Sequence, residues 1–339
     1  MADLTLRQLS RLPPELLEAD ARDLHDLLGG PTLLHLDGRD PRPLFVSVLL
    51  HGNEITGLLA VQRLLRKYLT HPLPRALTVF FGNTQAAAAG VRRLDGQPDY
   101  NRVWPGTDRP NCPEARLMAQ VWEIMRRRRL FASIDVHNNT GVNPHYACVN
   151  RLDPRFLHLA SLFSRLVVYF LRPRGVQSMA FAELCPAVTL ECGKPGAGRG
   201  TEHACDFIDT CLHLAAIPDH PPTHLDLFHT VAQVKIRDGV RFSFTDETAD
   251  LVLRSDLDRL NFTELPAGIA WGEVHGDGVP LLALDEAGRD VTGRYFAVVG
   301  GKLTLRQPVM PSMLTLDERI IRQDCLGYLM ERLGGAETD

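Results

Sequence analysis

No stretch of this 339-residue chain is apolar for long enough to cross a bilayer, which takes about 20 such residues. A membrane-embedded protein is therefore not expected. Positive charge is not in excess, with 37 Lys and Arg against 41 Asp and Glu and a net charge of −4, so the electrostatic footprint of a nucleic-acid binder is missing. The cysteines number seven, an odd count, and no two stand in Cys-x-x-Cys spacing. That argues against a disulfide framework and for reduced thiols filling the core of a cytoplasmic protein. The first residues, Met1-Ala2-Asp3-Leu4-Thr5, carry an early acid and no apolar segment of the signal-peptide kind, so secretion is not expected. Internal repeats and low-complexity stretches are also lacking.

What the chain does have is ordinary bulk. Hydrophobic residues make up 45% and charged residues 23%, as in soluble globular proteins. The length exceeds one ordinary core and suits two domains. From the start to about residue 218, short apolar runs alternate with segments of helical spacing, which argues for an α/β sheet covered by helices on both faces. A helical lead-in and a short edge strand at 32–36 open the chain. Helices are expected over 55–65, 113–129, 156–166 and 201–214, and strands over 77–81 and 167–170. In the helix at 113–129, Leu117, Val121, Ile124 and Met125 should face inward. The Pro-rich stretch 218–223 reads as a linker. Beyond it, short strands at 231–236, 272–274 and 295–299 and a closing amphipathic helix at about 316–333 predict a small, mostly β domain over 223–339.

Three apolar, β-branched runs end on polar side chains. Residues 44–50 lead into His51-Gly52-Asn53-Glu54, residues 132–136 end on His137, and residues 187–190 end on Glu191. Such runs suit strands buried in a parallel sheet, and open α/β sheets gather ligands outside the carboxyl ends of their strands. Zinc hydrolases hold the metal with three side chains and leave a fourth position to water. His51 and Glu54, three residues apart at a strand-to-helix turn, can share one ion, with Gly52 allowing a tight turn and His137 supplying the third ligand. Glu191 suits a general base, because an acid ending a buried apolar strand is costly without a partner or a task. Asn101-Arg102 follows a polar loop, and an arginine fork can grip a carboxylate. The run Arg126 to Arg129 is expected to be a solvated face at a helix C-terminus, without function.

Taken together, His-Gly-Asn-Glu at 51–54, Asn101-Arg102, the run Asp135-Val136-His137-Asn138-Asn139-Thr140 and the run Thr189-Leu190-Glu191-Cys192-Gly193 resemble the succinylglutamate desuccinylase/aspartoacylase family, relatives of the zinc carboxypeptidases. The match in order and spacing spans roughly the first two thirds of the chain. The resemblance implies a zinc-carboxypeptidase-like mixed sheet, a catalytic domain over 1–218 and a small β-rich second domain. It implies one zinc ion on His51, Glu54 and His137, Glu191 as base, and Asn101-Arg102 as a clamp on the substrate's carboxylate. An arginine that polarises the scissile carbonyl falls on Arg92 or Arg93. The family's further substrate arginine, about ten residues before the base, would fall in Ala180-Phe181-Ala182. Its nearest replacements are Arg172 and Arg174, of which Arg174 is the expected substrate contact, and Tyr295 is a loose counterpart of a C-terminal substrate tyrosine. The stretch after His137 is closer to the aspartoacylases.

The expected activity is zinc-dependent hydrolysis of the amide of an N-acyl amino acid or a related small amide, in the cytoplasm. No nucleic-acid or membrane partner is expected, and the sequence is compatible with a homo-oligomer. The alternatives are a metallocarboxypeptidase acting on short peptides and a non-catalytic metal-binding protein of the same fold. A hydrolase built on Cys192 is a weaker alternative, since neighbours on a strand point to opposite faces.

Overall fold

The computed structural model describes residues 4–333, which fall into two compact units. The first holds the residues up to Asn138 together with His145–Tyr169 and Pro173–Leu225, and the second holds Asn139–Pro144, Phe170–Arg172 and the residues from Asp226 onward.

The first unit is a mixed sheet built from β1 (Arg7–Leu9), β2 (Thr32–Leu36), β3 (Gly38–Val48), β4 (Leu73–Phe81), β5 (Ala132–His137), β6 (Tyr146–Val149), β7 (Leu166–Tyr169) and β8 (Ala187–Glu191). Their spatial order is β1-β2-β4-β3-β5-β8-β6-β7. The central run β4-β3-β5-β8 is parallel, while β2 and β6 pair antiparallel to β4 and β8. The helices are α1 (Leu24–Leu28), α2 (Thr56–Lys67), α3 (Thr84–Ala88), α4 (Pro113–Arg126), α5 (Pro154–Ser161), α6 (Gln177–Phe181) and α7 (Gly198–His213).

Strand periodicity gives the central strands two unlike faces. Val48 and Val136 point to one, where α2 packs so closely that a Cβ on Gly57 would lie 2.8 Å from a Val48 methyl. Phe45, Ser47, Ser133, Asp135, His137, Thr189 and Glu191 share the other, as the register of β3, β5 and β8 requires. There α6 stacks Phe181 on Phe45 with centroids 4.4 Å apart, and Gln177 Nε2 donates to Ser133 Oγ at 2.6 Å. Helices therefore cover both faces, and the expected mixed α/β fold is the one formed. In α4, Leu117, Val121 and Met125 are buried as anticipated and Ile124 is half-buried.

Of the two expectations for the opening residues, the helical lead-in is borne out and the edge strand is not. The lead-in consists of a 3₁₀ turn at Pro14–Leu17, with Pro14 in its first turn, and the five-residue α1, which the left-handed Gly29 (φ 71°) ends. The strand at Thr32–Leu36 is not an edge, since β1 pairs with it on one side and β4 on the other.

The second unit contains β9 (Asp226–Ile236), β10 (Phe242–Ser243), β11 (Leu251–Leu253), β12 (Ala270–Val274), β13 (Leu281–Leu284), β14 (Phe296–Val299), β15 (Lys302–Leu305), β16 (Met310–Ser312) and β17 (Gly327–Arg332), with α8 (Thr292–Tyr295) and α9 (Glu318–Gln323). One layer is the five-stranded order β10-β11-β12-β15-β14, and in the other β9 pairs with β13 and β17. Trp271, Leu251, Phe296 and Leu303 lie in the core between them. The closing helix expected at about 316–333 is a correction. Only Glu318–Gln323 is helical, capped by Asp317, and Gly327 begins a strand along β9. Tyr328, Leu329 and Met330 are buried consecutively, as in a strand covered on both faces, and so short an apolar run does not distinguish strand from helix.

Candidate functional site

The approach to His51 is set by the backbone. Leu49, fully buried, takes φ 56°, a left-handed turn that an L-residue adopts at a cost, and its carbonyl accepts Asn83 N–H at 2.7 Å. The turn sends the chain away from β3 and into the loop that precedes α2. Gly52 is required for a reason other than the tight turn expected of it. A Cβ there would lie 2.2 Å from the Ala86 carbonyl carbon and the Ala87 nitrogen, so it is close approach to α3 that excludes a side chain.

His51, Glu54 and His137 are 3–4% exposed, and a ligand atom from each lies within 4.8 Å of the others. His51 Nδ1 is 2.7 Å from Glu54 Oε1, and His137 Nδ1 is 2.7 Å from Glu54 Oε2. The other nitrogen of each ring meets a carboxylate: His51 Nε2 lies 3.0 Å from Asp99 Oδ1 and His137 Nε2 lies 2.7 Å from Asp135 Oδ2. An ionised carboxylate only accepts, and both nitrogens of each ring face one, so with Nε2–H given to Asp99 and Asp135 each Nδ1 can meet Glu54 only through a proton or a shared cation. Two lone pairs and a carboxylate cannot crowd one point unless protons or a cation lie between them. That is the arrangement in which metal-ligating histidines are held by outer carboxylates, and the donor set suits zinc.

The electrostatics follow from this packing. Burial opposes ionisation of Glu54, but the two imidazoles against it hold its carboxyl well below the usual range. Burial likewise works against Asp99, and His51, Arg92 and Arg102 outweigh it, keeping that carboxyl low. Burial depresses His137, yet Asp135 and Glu54 raise it well above an ordinary histidine.

Glu191 is 6% exposed and stands directly opposite His137 in the parallel register of β5 and β8, on the same face. Asn138 joins the pieces. Its N–H donates to Glu54 Oε2 at 3.0 Å, its Nδ2 to the Gly193 carbonyl at 2.8 Å, and its Oδ1 accepts the Thr56 N–H at the start of α2 at 3.3 Å. Cys192 points to the other face and is fully buried. Burial first, and the Glu191 carboxylate second, push its thiol well above the ordinary range, so it is no nucleophile.

Of the two candidate arginines, Arg92 reaches the ligands. Its Nη1 donates to Glu54 Oε1 at 3.2 Å and its Nη2 to Asp99 Oδ2 at 3.0 Å, whereas Arg93 turns to the Gln97 carbonyl at 2.8 Å. Asn101 is buried, with its Nδ2 3.2 Å from Asp135 Oδ2 and its Oδ1 accepting the Gln177 N–H at 2.8 Å. Arg102, half-buried, donates to the Asn101 carbonyl at 2.9 Å. Arg174 is exposed on the loop whose Gly175 packs on the Arg102 backbone, where a Cβ would come within 2.4 Å of the Arg102 oxygen. Tyr295 is a core residue of the second unit, 1% exposed, with its hydroxyl 3.4 Å from Glu331 Oε1.

Asp99 and Asp135 escaped the sequence reading as functional groups. Asp135 is fully buried and accepts from Ser47 Oγ at 2.6 Å as well as from His137. Its signal was present: a carboxylate two residues before a ligand on a strand shares that ligand's face. Asp99 carried no such signal, because a loop acid between Pro98 and Tyr100 looks like any turn residue.

No curated protein matches the chain. Solved structures of similar fold include succinylglutamate desuccinylase from Chromobacterium violaceum (19% identity, TM-score 0.56, covering 88% of this chain and 86% of that one). Succinylglutamate desuccinylase/aspartoacylase from Rhodobacter sphaeroides (16%, 0.57, 88% and 88%) and murine aminoacylase 3 (14%, 0.56, 87% and 96%) are also similar. At these identities the likeness is one of fold. The sequence itself matches the family model described as succinylglutamate desuccinylase/aspartoacylase catalytic domain over residues 42–212, a span that contains His51, Glu54, Asp99, Asp135, His137 and Glu191. The chain belongs to the succinylglutamate desuccinylase/aspartoacylase family.

Proposed function

We propose that the chain is a zinc-dependent deacylase that hydrolyses the amide of a small N-acyl amino acid. His51, Glu54 and His137 would hold the ion through two Nδ1 atoms and a carboxylate. When bound, such an ion polarises a carbonyl and makes water a nucleophile near neutral pH. Asp99 and Asp135 keep both imidazoles in the tautomer that ligation needs. Glu191 takes a proton from the attacking water and delivers it to the leaving nitrogen, so that water adds across the C–N bond and the base is regenerated. Arg92, which donates to Glu54, is the candidate for the carbonyl oxygen, and Arg102 the candidate for the substrate's carboxylate.

The observation that carries the reading is the pairing of Glu191 with His137 across β5 and β8, beside the point on which both Nδ1 atoms converge. A panel of N-acyl amino acids and C-terminal dipeptides, assayed with and without a chelator, tests it. Hydrolysis of the N-acyl amino acids, lost on chelation and restored by zinc, is the expected result. Preference for the dipeptides would give a carboxypeptidase instead, and no turnover in a zinc-loaded protein would leave a metal-binding protein of the same fold.

A further inference from the structure

The strands that carry His137 and Glu191 at one end border a cavity at the other. It measures about 370 Å³ and is lined by Phe131 and Pro186, the residues that precede β5 and β8. Six residues of strand separate it from the metal ligands, about 16–20 Å at the rise of a β-strand. Arg42, Arg151 and Arg155 line this cavity, from β3, the turn after β6 and α5. Phe131, Phe156 and Ile217 give it an apolar wall, and Glu183 is the one carboxylate among the described lining residues.

The arginines are held but not used up. Arg42 lays Nε and Nη2 on Asp40 at 3.2 and 2.6 Å, and Arg155 lays the same edge on Asp153 at 3.2 and 3.1 Å. Arg151 meets Glu183 through Nη2. Arg42 and Arg155 are thus fixed along one edge and Arg151 at one nitrogen, while no acceptor among the described residues engages their Nη1 atoms, each of which carries two N–H donors. Three oriented donor groups over an aromatic and aliphatic wall match a carboxylate with an apolar body, because a fork of N–H groups recognises the oxyanion and the wall covers the remainder. A neighbouring groove shares Arg155 and Ile217 but is lined by Asp153 and Asp219, so the charge reverses there and confines an anion to the arginine side.

We propose that this cavity is a binding site for a small apolar carboxylate, distinct from the metal site and independent of whether that site hydrolyses amides. Isothermal titration of the metal-loaded full chain with benzoate, acetate and benzamide tests it. Benzoate should bind at least tenfold more tightly than acetate, which lacks the apolar body, and than benzamide, which lacks the charge. The double variant Arg151→Gln/Arg155→Gln and the single variant Ile217→Glu should each weaken that binding at least tenfold, with metal content and thermal midpoint unchanged. The arginine pairs are exposed and add little to stability, and Ile217 is only half-buried, so both proteins should fold. Benzoate binding that both variants retain in full belongs to the metal centre and overturns the proposal. So does equal affinity for benzoate and benzamide, or for benzoate and acetate.

Discussion

Beneath the strand ends of the first unit, His51, Glu54, Asp135, His137 and Glu191 are each less than a tenth exposed, while in the core of the second unit the same burial is given to Trp271, Leu251, Phe296 and Leu303. Buried polar groups exist in both. In the second unit Asn261 and Thr292 serve the backbone: Asn261 Nδ2 donates to the carbonyls of Val142, Asp258 and Leu314, its Oδ1 accepts the Leu314 N–H, and Thr292 accepts the Ala283 N–H. Those gathered at the strand ends of the first unit serve one another, carboxylate against imidazole, and bring two ring nitrogens and a carboxylate to a shared point. Polar burial that closes on the main chain is a fold device. Polar burial that closes on side chains and still leaves a converging set of donors for a cation is a site, because folding alone would be better served by apolar residues.

The largest effect that would sharpen this contrast is at Glu191. On the proposed mechanism, Glu191→Gln should lower turnover about 10²–10⁴-fold, the usual contribution of a general base, with metal stoichiometry unchanged. A variant with near-normal turnover removes Glu191 from the chemistry. Next comes Trp271, fully buried, edge-on to Phe296 with centroids 5.2 Å apart. Trp271→Ala should cost about 3–5 kcal/mol in denaturant unfolding. Trp271→Phe should cost much less, since the indole N–H finds no acceptor among the described residues. Neither should alter metal stoichiometry in the folded protein, and a loss of metal there would blur the distinction between the two regions.

Asp135→Asn is expected to weaken metal affinity about 10–100-fold, the range for losing an outer-shell partner. A chelator competition reads this directly, and unchanged affinity would show that His137 needs no carboxylate to hold its tautomer. The smallest effect lies outside both regions. Burial, followed by Arg128, pushes His35 down to about 4. The folded state then binds fewer protons than the unfolded one between about pH 6.5 and 4, so stability falls as pH falls through that window and is unaffected above it. Because His35 is partly solvated, the loss should be no more than about 1 kcal/mol. His35→Gln should flatten that part of the pH–stability curve, and an identical curve would show that His35 titrates normally.

Much of this arrangement is legible without coordinates. The β-branched runs before His51, His137 and Glu191 announce strands, and those strands form where expected, with bounds shifted by a few residues at most except where Arg39 and its neighbours lengthen β3. The closing helix differs from expectation for a physical reason: apolar spacing over a few residues fits either period, and the deciding fact, the pairing of Gly327–Arg332 with β9, lies in a long-range partner. Choosing between Arg92 and Arg93 was beyond the sequence for a similar reason: adjacent residues in a loop have no fixed facing until Glu54 and Asp99 are placed around them.

Sequence alone determined the residue types able to bind a cation, the strands that end on them, and the parity that puts Glu191 and Cys192 on opposite faces, because these depend on local chemistry and on the two-residue period of a strand. Only the tertiary structure decided that Asp99 backs His51, that Gly52 is required by the approach of α3, and that Arg42 joins Arg151 and Arg155 around one cavity. Such facts rest on distances between segments far apart in the chain, and no local pattern encodes a distance.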